Sequence, residues 1–421
     1  MVKCWRKQKY GRLPDEKTDK SRFARARVGL FTHYTYPTYD TGKGTDWGGT
    51  CYSARELRTA RSAEEAASLF DGERYADVAH ALGAEYVVFT VAHAGFNLLF
   101  PSETMKATGC SWKCAESSDA IRKLTDGLSK YDIPLVLYMP SNDDHDIPDA
   151  DLKRMGWTDQ RARMEFITRL IREIYDRYGS GISGFWFDQG GPTADVCDFV
   201  RECDPDAVIF VNTGVTANTV RHPLSDFIVS EYYGSIEGVD SDTLPVHYSQ
   251  VNRQIGAWYA TGKKAPTDAR NLYRYTVRTI SVEGQMNAGI AWSCGPYLDQ
   301  TWEDGVEELL RQLGGLLKSH DGIYGTVPGR SYVTKPDSTL DKSEWGVSTE
   351  AEDGSEVYLH VLNVPESGYL ELPEAADGKC FVSADIGGAA LPLEKTPAGW
   401  RITMPKDADK IDTVVRLTAG W

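Results

Sequence analysis

The chain has 421 residues, of which 41% are hydrophobic and 25% charged, with 39 glycines and 19 prolines. That is the composition of a folded globular protein, and it excludes disorder and collagen-like repeats. The 46 basic and 61 acidic residues leave a net charge of −15, a field that repels phosphate backbones and anionic headgroups, so nucleic acid and membrane surfaces are poor partners.

In chain order, residues 1–27 form a basic leader with a local charge of +7 and no apolar run, unlike a secretory signal. It reads as a strap against acidic surface and leaves a homo-oligomer open. From residue 28, short apolar runs rich in β-branched and aromatic residues recur at 28–34, 86–91, 135–139, 184–188, 207–212, 227–232 and 289–293. Several are apolar throughout, as strands buried on both faces must be. Amphipathic stretches separate them. In 161–178, for example, Met164, Ile167, Ile171 and Tyr175 share one face and Gly179 ends the run. The alternation predicts a (β/α)₈-like TIM barrel over 28–327, regular or irregular.

Beyond it, alternating strands at 331–334, 357–362, 368–372, 381–385, 400–404 and 413–417 predict a small C-terminal β-sandwich over 328–421. No stretch reaches the roughly 18 consecutive apolar residues of a membrane span. The eight cysteines show neither CxxC nor paired Cys/His spacing, and read as reduced thiols of a cytoplasmic protein.

In a parallel barrel the chemistry sits where strands end, so polar residues closing an apolar strand are the first candidates. These are His33, His93, Asp188 and Glu231. Asp188 follows Phe185-Trp186-Phe187, and an ionised carboxylate against aromatic walls needs donors or a cationic reacting centre. Its alternative reading is a helix cap, because a turn and a helix follow. Two carboxyls converging from different strand ends suit glycosidic bond cleavage: one protonates the leaving oxygen, and the other attacks or stabilises the oxocarbenium-like carbon. Tyr34, Trp47, Trp258 and Trp292 are candidate aromatic walls, with core packing as the competing reading. The run from Asp143 to Asp146 is rich in ligand types, but adjacent residues rarely converge on one ion; no metal and no cofactor is expected.

Several segments resemble one family. Val28-Gly-Leu-Phe-Thr-His33-Tyr34 is similar to an opening strand G-[LM]-F-I-H-W, and Phe70-Asp71 through Tyr75 to F-D-A-x-x-W. Gly95-Phe96 through Ser102 resembles D-G-F-x-L-F-P-S. Phe185-Trp186-Phe187-Asp188 resembles L-W-F-D-G, Asp226-Phe227 through Glu231 resembles D-F-x-T-x-E, and Gly295-Pro296 resembles the end of N-V-G-P. These are motifs of the α-L-fucosidases of glycoside hydrolase family 29. The resemblance implies a barrel followed by a sandwich, Asp188 as nucleophile, Glu231 as acid/base with Glu237 as its rival, and His33 and His93 as sugar contacts. Tyr138, Trp186 and Asn212 complete the substrate-binding set.

The chain departs from the pattern in three places. The family's K-H-H-D-G-F appears as Val91-Ala92-His93-Ala94-Gly95-Phe96, its paired tyrosines as Tyr138-Met139, and its arginine after the fifth strand is replaced by Asn212-Thr213-Gly214-Val215. The expectation is a retaining exo-acting α-L-fucosidase-like enzyme that releases a terminal fucose-like sugar from a small glycan. The alternatives are an exo-glycosidase of the same fold for a different sugar, α-L-galactoside-like or modified, and a catalytically silent carbohydrate-binding barrel.

Overall fold

The computed structural model describes residues 20–36, 62–93, 95–141, 147–188, 191–212, 222–231, 245–250, 268–281, 289–302, 304–334 and 345–420. Eight parallel strands make the first sheet: β1 (Val28–Thr32), β2 (Tyr86–Thr90), β3 (Leu135–Pro140), β4 (Gly184–Asp188), β5 (Val208–Val211), β6 (Ile228–Glu231), β7 (Pro245–Gln250) and β8 (Gly289–Ser293). Their order is β5-β4-β3-β2-β1-β8-β7-β6. Seven of the eight coincide with expected runs. The addition is β7, whose sequence Pro-Val-His-Tyr-Ser-Gln has too few apolar residues to read as a strand buried on both faces.

Helices flank the strands: α1 (Lys20–Arg25), α2 (Gly72–Leu82), α3 (Ala120–Ser129), α4 (Gln160–Tyr178), α5 (Ala194–Cys203), α6 (Ala269–Ile280) and α7 (Val306–Ser319). Aspartates 71, 119, 159 and 268 begin α2, α3, α4 and α6, each accepting the amide three residues ahead, an N-cap worth about 1 kcal/mol. The apolar face expected on α4 is the buried one, carrying Met164, Phe166, Ile167, Leu170, Ile171 and Ile174. No described helix is long and apolar enough to cross a membrane.

Side-chain alternation along the strands divides the core in two. Leu30, Val87, Leu137, Phe185, Ile209 and Ile290 face the helices. Phe31, Val88, Val136, Trp186, Phe210 and Ala291 fill the lumen. Gly29 has no room for a side chain, because a Cβ would lie 2.5 Å from the Tyr86 ring. The amino end of the lumen is closed by Phe23 of α1, edge-on to Tyr86 and Phe210 at 6.1 and 6.2 Å. Beside it Arg22 bonds Asp132 at 3.2 Å and the Arg27 amide bonds Glu85 at 2.5 Å. The described end of the basic leader therefore docks through an aromatic plug as well as through acidic partners.

The second unit has two antiparallel sheets. One runs β14-β13-β17-β11-β10-β9 and the other β12-β16-β15, with β9 (Thr326–Pro328), β10 (Gly346–Ala351), β11 (Glu356–Val361), β12 (Tyr369–Pro373), β13 (Cys380–Ile386), β14 (Ala389–Leu391), β15 (Leu393–Thr396), β16 (Gly399–Thr403) and β17 (Thr413–Gly420). Leu359, Leu370, Phe381, Trp400, Ile402 and Val415 pack between them. The strand expected at 331–334 is absent there, and β10 was not anticipated. Its Ser348, Thr349 and Glu350 are wholly buried, so an alternating apolar pattern is missing although the strand is interior. Already at Thr326, β9 pairs with β10, slightly ahead of the expected boundary.

The two units meet on apolar side chains, Val347 of β10 joining the helix-facing core of the barrel, and on polar ones. Asp412 Oδ2 accepts from Tyr273 of α6 at 2.7 Å and lies 2.7 Å from His360 Nδ1 of β11.

Candidate functional site

Continuing each strand by its period of two carries the lumen face to the carboxyl end of the barrel. His33 follows Phe31, Tyr138 follows Val136, Asp188 follows Trp186, and Asn212 follows Phe210. Strand register sets Pro140 beside Asp188 and Tyr138 beside Trp186. The outcome is convergence on Asp188: Tyr138 Oη donates to its Oδ2 at 2.7 Å and Asn212 Nδ2 donates to its Oδ1 at 2.9 Å. Ser141 Oγ donates to the Asp188 carbonyl at 2.8 Å. Both carboxylate oxygens are thus oriented by neutral donors from the two adjoining strands. The helix that follows, α5, takes Thr193 as its N-cap residue, so Asp188 is not itself at the cap position.

His33 and His93 pack beside this group. Their rings lie 4.7 Å apart, and Tyr138 lies 4.7 Å from His33 and 5.7 Å from His93. His33 is buried and His93 half-buried. Burial, reinforced by neighbouring His93, holds the His33 imidazole well below the usual histidine range, so it is neutral near pH 7. His93 is anchored by a tight turn in which the Phe96 amide bonds its carbonyl at 2.8 Å. Gly95 and Phe96 both take the left-handed conformation, with φ of 76° and 48°. The second is costly for a bulky residue, and the packing of Phe96 against Trp157 and Phe166 at 4.8 and 5.9 Å holds it. Trp186, stacked on Tyr138 at 5.2 Å and 2% exposed, is the floor beneath Asp188.

Two of the expected walls lie elsewhere. Trp292 belongs to the helix-facing core and packs on Tyr275 of α6 at 5.8 Å, because on β8 it is Ala291 and Ser293 that share the parity of the lumen. Tyr34, one residue past His33, also points outward, and its hydroxyl donates to the Ala66 carbonyl at 3.0 Å. These are core residues, as their parity dictates. Met139 is likewise in the helix-facing core and brings no polar group to the mouth. Glu231 closes β6 in register with Tyr248; its side chain, together with Trp47, Trp258, Glu237 and the run 143–146, lies outside the described residues. Among those described, no cluster of His, Cys, Asp and Glu is arranged to hold a metal ion.

Sequence reading missed two serines. Ser141 supports Asp188 from the loop after β3. Ser293 lies beside Phe31 in register, wholly buried, with a hydroxyl that has no hydrogen-bond partner. Its signal was the same parity that removes Trp292.

Comparison with known proteins adds the following. The model of the α-L-fucosidase family matches residues 4–321. An α-L-fucosidase from Bacteroides thetaiotaomicron superposes with a TM-score of 0.71 at 18% identity, covering 98% of this chain and 96% of that one. α-L-Fucosidase isoenzyme 1 from Paenibacillus thiaminolyticus gives 0.66 at 17%, covering 96% and 100%. The Thermotoga maritima α-fucosidase in complex with a mechanism-based inhibitor gives 0.63 at 17%, covering 96% and 97%. No curated protein matches the chain. At these identities the structural likeness shows the shared barrel and sandwich.

Proposed function

The chain belongs to the α-L-fucosidase family of glycoside hydrolases, and from that premise we propose that it is a retaining exo-acting hydrolase of terminal α-L-fucosyl or closely similar residues. The observation that carries the proposal is Asp188, fixed at a strand end by Tyr138 and Asn212 with both oxygens oriented. In the first step an Asp188 oxygen attacks the anomeric carbon while Glu231 gives its proton to the departing glycosidic oxygen, leaving an ester. In the second, Glu231 takes a proton from water, whose oxygen attacks the same carbon; the ester bond breaks and the sugar leaves with retained configuration. Neutral His33, with His93, serves as donor or acceptor to sugar hydroxyls, the kind of contact that discriminates strongly between substrates.

A Bacteroides thetaiotaomicron relative has been trapped as a covalent intermediate in complex with 2-fluoro-fucosyl fluoride. The test here uses the same reagent. Incubation should add one 2-fluoro-fucosyl group, and peptide mapping should place it on Asp188. A label on another carboxylate, or turnover of an aryl α-L-fucoside with no label formed, would remove Asp188 from the role.

A second reading, the same chemistry on a different sugar, is favoured by one observation. Tyr138 directs its hydroxyl and Asn212 one amide N–H at Asp188, and Met139, where the family pattern has a second tyrosine, faces the helices and offers no hydroxyl. Turnover of an aryl α-L-galactoside exceeding that of the fucoside would select it.

A further inference from the structure

β5 and β6 stand at the two ends of the strand order of the parallel sheet. Two side chains link them. Asp226, just ahead of β6, places its carboxylate along β5: Oδ2 accepts the Ile209 amide at 2.8 Å, and the Asp226 amide donates to the Ile209 carbonyl at 2.7 Å. Oδ1 accepts from Arg201 of α5 at 2.9 Å. Ser225 Oγ accepts the Val211 amide at 3.0 Å and donates to the Phe227 carbonyl at 2.6 Å. A carboxylate and a hydroxyl thus satisfy the Ile209 and Val211 amides of β5, alongside the backbone bond from Asp226 to Ile209.

This junction lies between the two halves of the proposed chemistry. The residue after Val211 is Asn212, which holds Asp188, whereas Asp226 and Ser225 lead directly into the strand that ends at Glu231. A retaining mechanism needs its two carboxyls about 5 to 5.5 Å apart, against about 6.5 to 9.5 Å for inversion, so a small slip of β6 along β5 changes the reaction. We infer that Asp226, supported by Ser225 and Arg201, is a positioning residue that sets the strand of the acid/base against the strand pair holding the nucleophile. The inference rests on the assignment of Glu231 above.

The test separates proton delivery from general damage. kcat/KM is measured on aryl α-L-fucosides of graded leaving-group pKa for the parent, Asp226→Ala, Asp226→Asn, Ser225→Ala and Glu231→Gln. A general acid matters most when the leaving group is poor. Asp226→Ala should lose about tenfold to a hundredfold on phenyl fucoside and less than about threefold on the 2,4-dinitrophenyl compound. Asp226→Asn, which keeps an acceptor for Ile209, and Ser225→Ala should shift in the same direction by less, and they carry the test if the alanine variant at 226 does not fold. A uniform loss across the series, or none, would overturn the inference and leave Asp226 a purely structural residue. Glu231→Gln is the control: if it lacks the leaving-group dependence the acid/base assignment itself falls, and if it shows it while the Asp226 and Ser225 variants do not, only the present inference falls.

Discussion

Removing the proposed nucleophile tests the geometry around it as well as the assignment. Asp188→Ala deletes the carboxylate but leaves Tyr138 Oη and Asn212 Nδ2, which stood 2.7 and 2.9 Å from its oxygens, pointing into the vacated space. Loss of covalent catalysis should lower turnover of an activated aryl fucoside by on the order of 10³- to 10⁵-fold, about 4 to 7 kcal/mol. The two orphaned donors form a small anion site. Each hydrogen bond to a charged acceptor contributes about 1.5 to 3 kcal/mol, and association opposes this with at least about 4 kcal/mol. The net, roughly −1 to 2 kcal/mol, predicts half-saturation by azide at about 0.03 to 5 M. Azide should then attack the anomeric carbon from the face that Asp188 occupied and release a glycosyl azide of inverted configuration. Adding Tyr138→Phe or Asn212→Ala to Asp188→Ala removes one donor and should weaken azide about tenfold to a hundredfold, putting rescue out of reach. Parental turnover in Asp188→Ala would refute the nucleophile; rescue undiminished by loss of either donor would refute the derived geometry.

Two further outcomes concern pH and stability. His33 is held neutral by burial in the fold, whereas an unfolded histidine titrates near pH 6.5. Its depressed folded pKa therefore supplies stability that is fully present above about pH 6.5 and is lost as pH falls below it, by up to about 1.4 kcal/mol per unit. Urea midpoints between pH 5 and 7.5 should decline less steeply for His33→Gln than for the parent, and equal slopes would count against a neutral buried His33. At the contact between barrel and sandwich, Asp412→Ala strands the buried Tyr273 hydroxyl and His360 Nδ1, at a cost of roughly 2 to 5 kcal/mol. Thermal unfolding should shift down by several degrees while turnover at 25 °C persists, and an unmoved transition would show that the pair contributes nothing net.

Why some of this was legible in the sequence, and some not, follows from where the information resides. Strands buried on both faces are spelled out in apolar runs such as Phe185-Trp186-Phe187, and a charge closing such a run is conspicuous, so the barrel and Asp188 are readable. β10 is not, because its backbone ladders hold polar residues in the interior without leaving an apolar trace, and β7 is not, because Pro-Val-His-Tyr-Ser-Gln carries no apolar run. Asp226 was read only as the start of a family motif, because a carboxylate that accepts a strand amide looks, in sequence, like any loop acid. Tyr138 and Asn212 were recognised as site residues, but their targets depend on which strands are neighbours. β3 and β5 flank β4, and that adjacency brings both of them onto Asp188.

Parity carries this one step further. Along β1 and β8 the lumen takes Phe31, His33, Ala291 and Ser293, so Tyr34 and Trp292, each one residue out of phase, were bound to face the helices. Aromatic content alone pointed to them as a sugar wall; the period of two reassigns the wall to whichever groups remain in phase. Besides Tyr138 and Asn212, which donate to Asp188, the described lumen face carries His33 and the unpartnered Ser293 hydroxyl, with His93 at its rim. A neutral imidazole can donate or accept, and a serine hydroxyl can do both, so these described groups can meet hydroxyls by hydrogen bonding. Under the proposed function, the hydroxyl pattern of the sugar would be read in part by β1, β8 and the turn that carries His93.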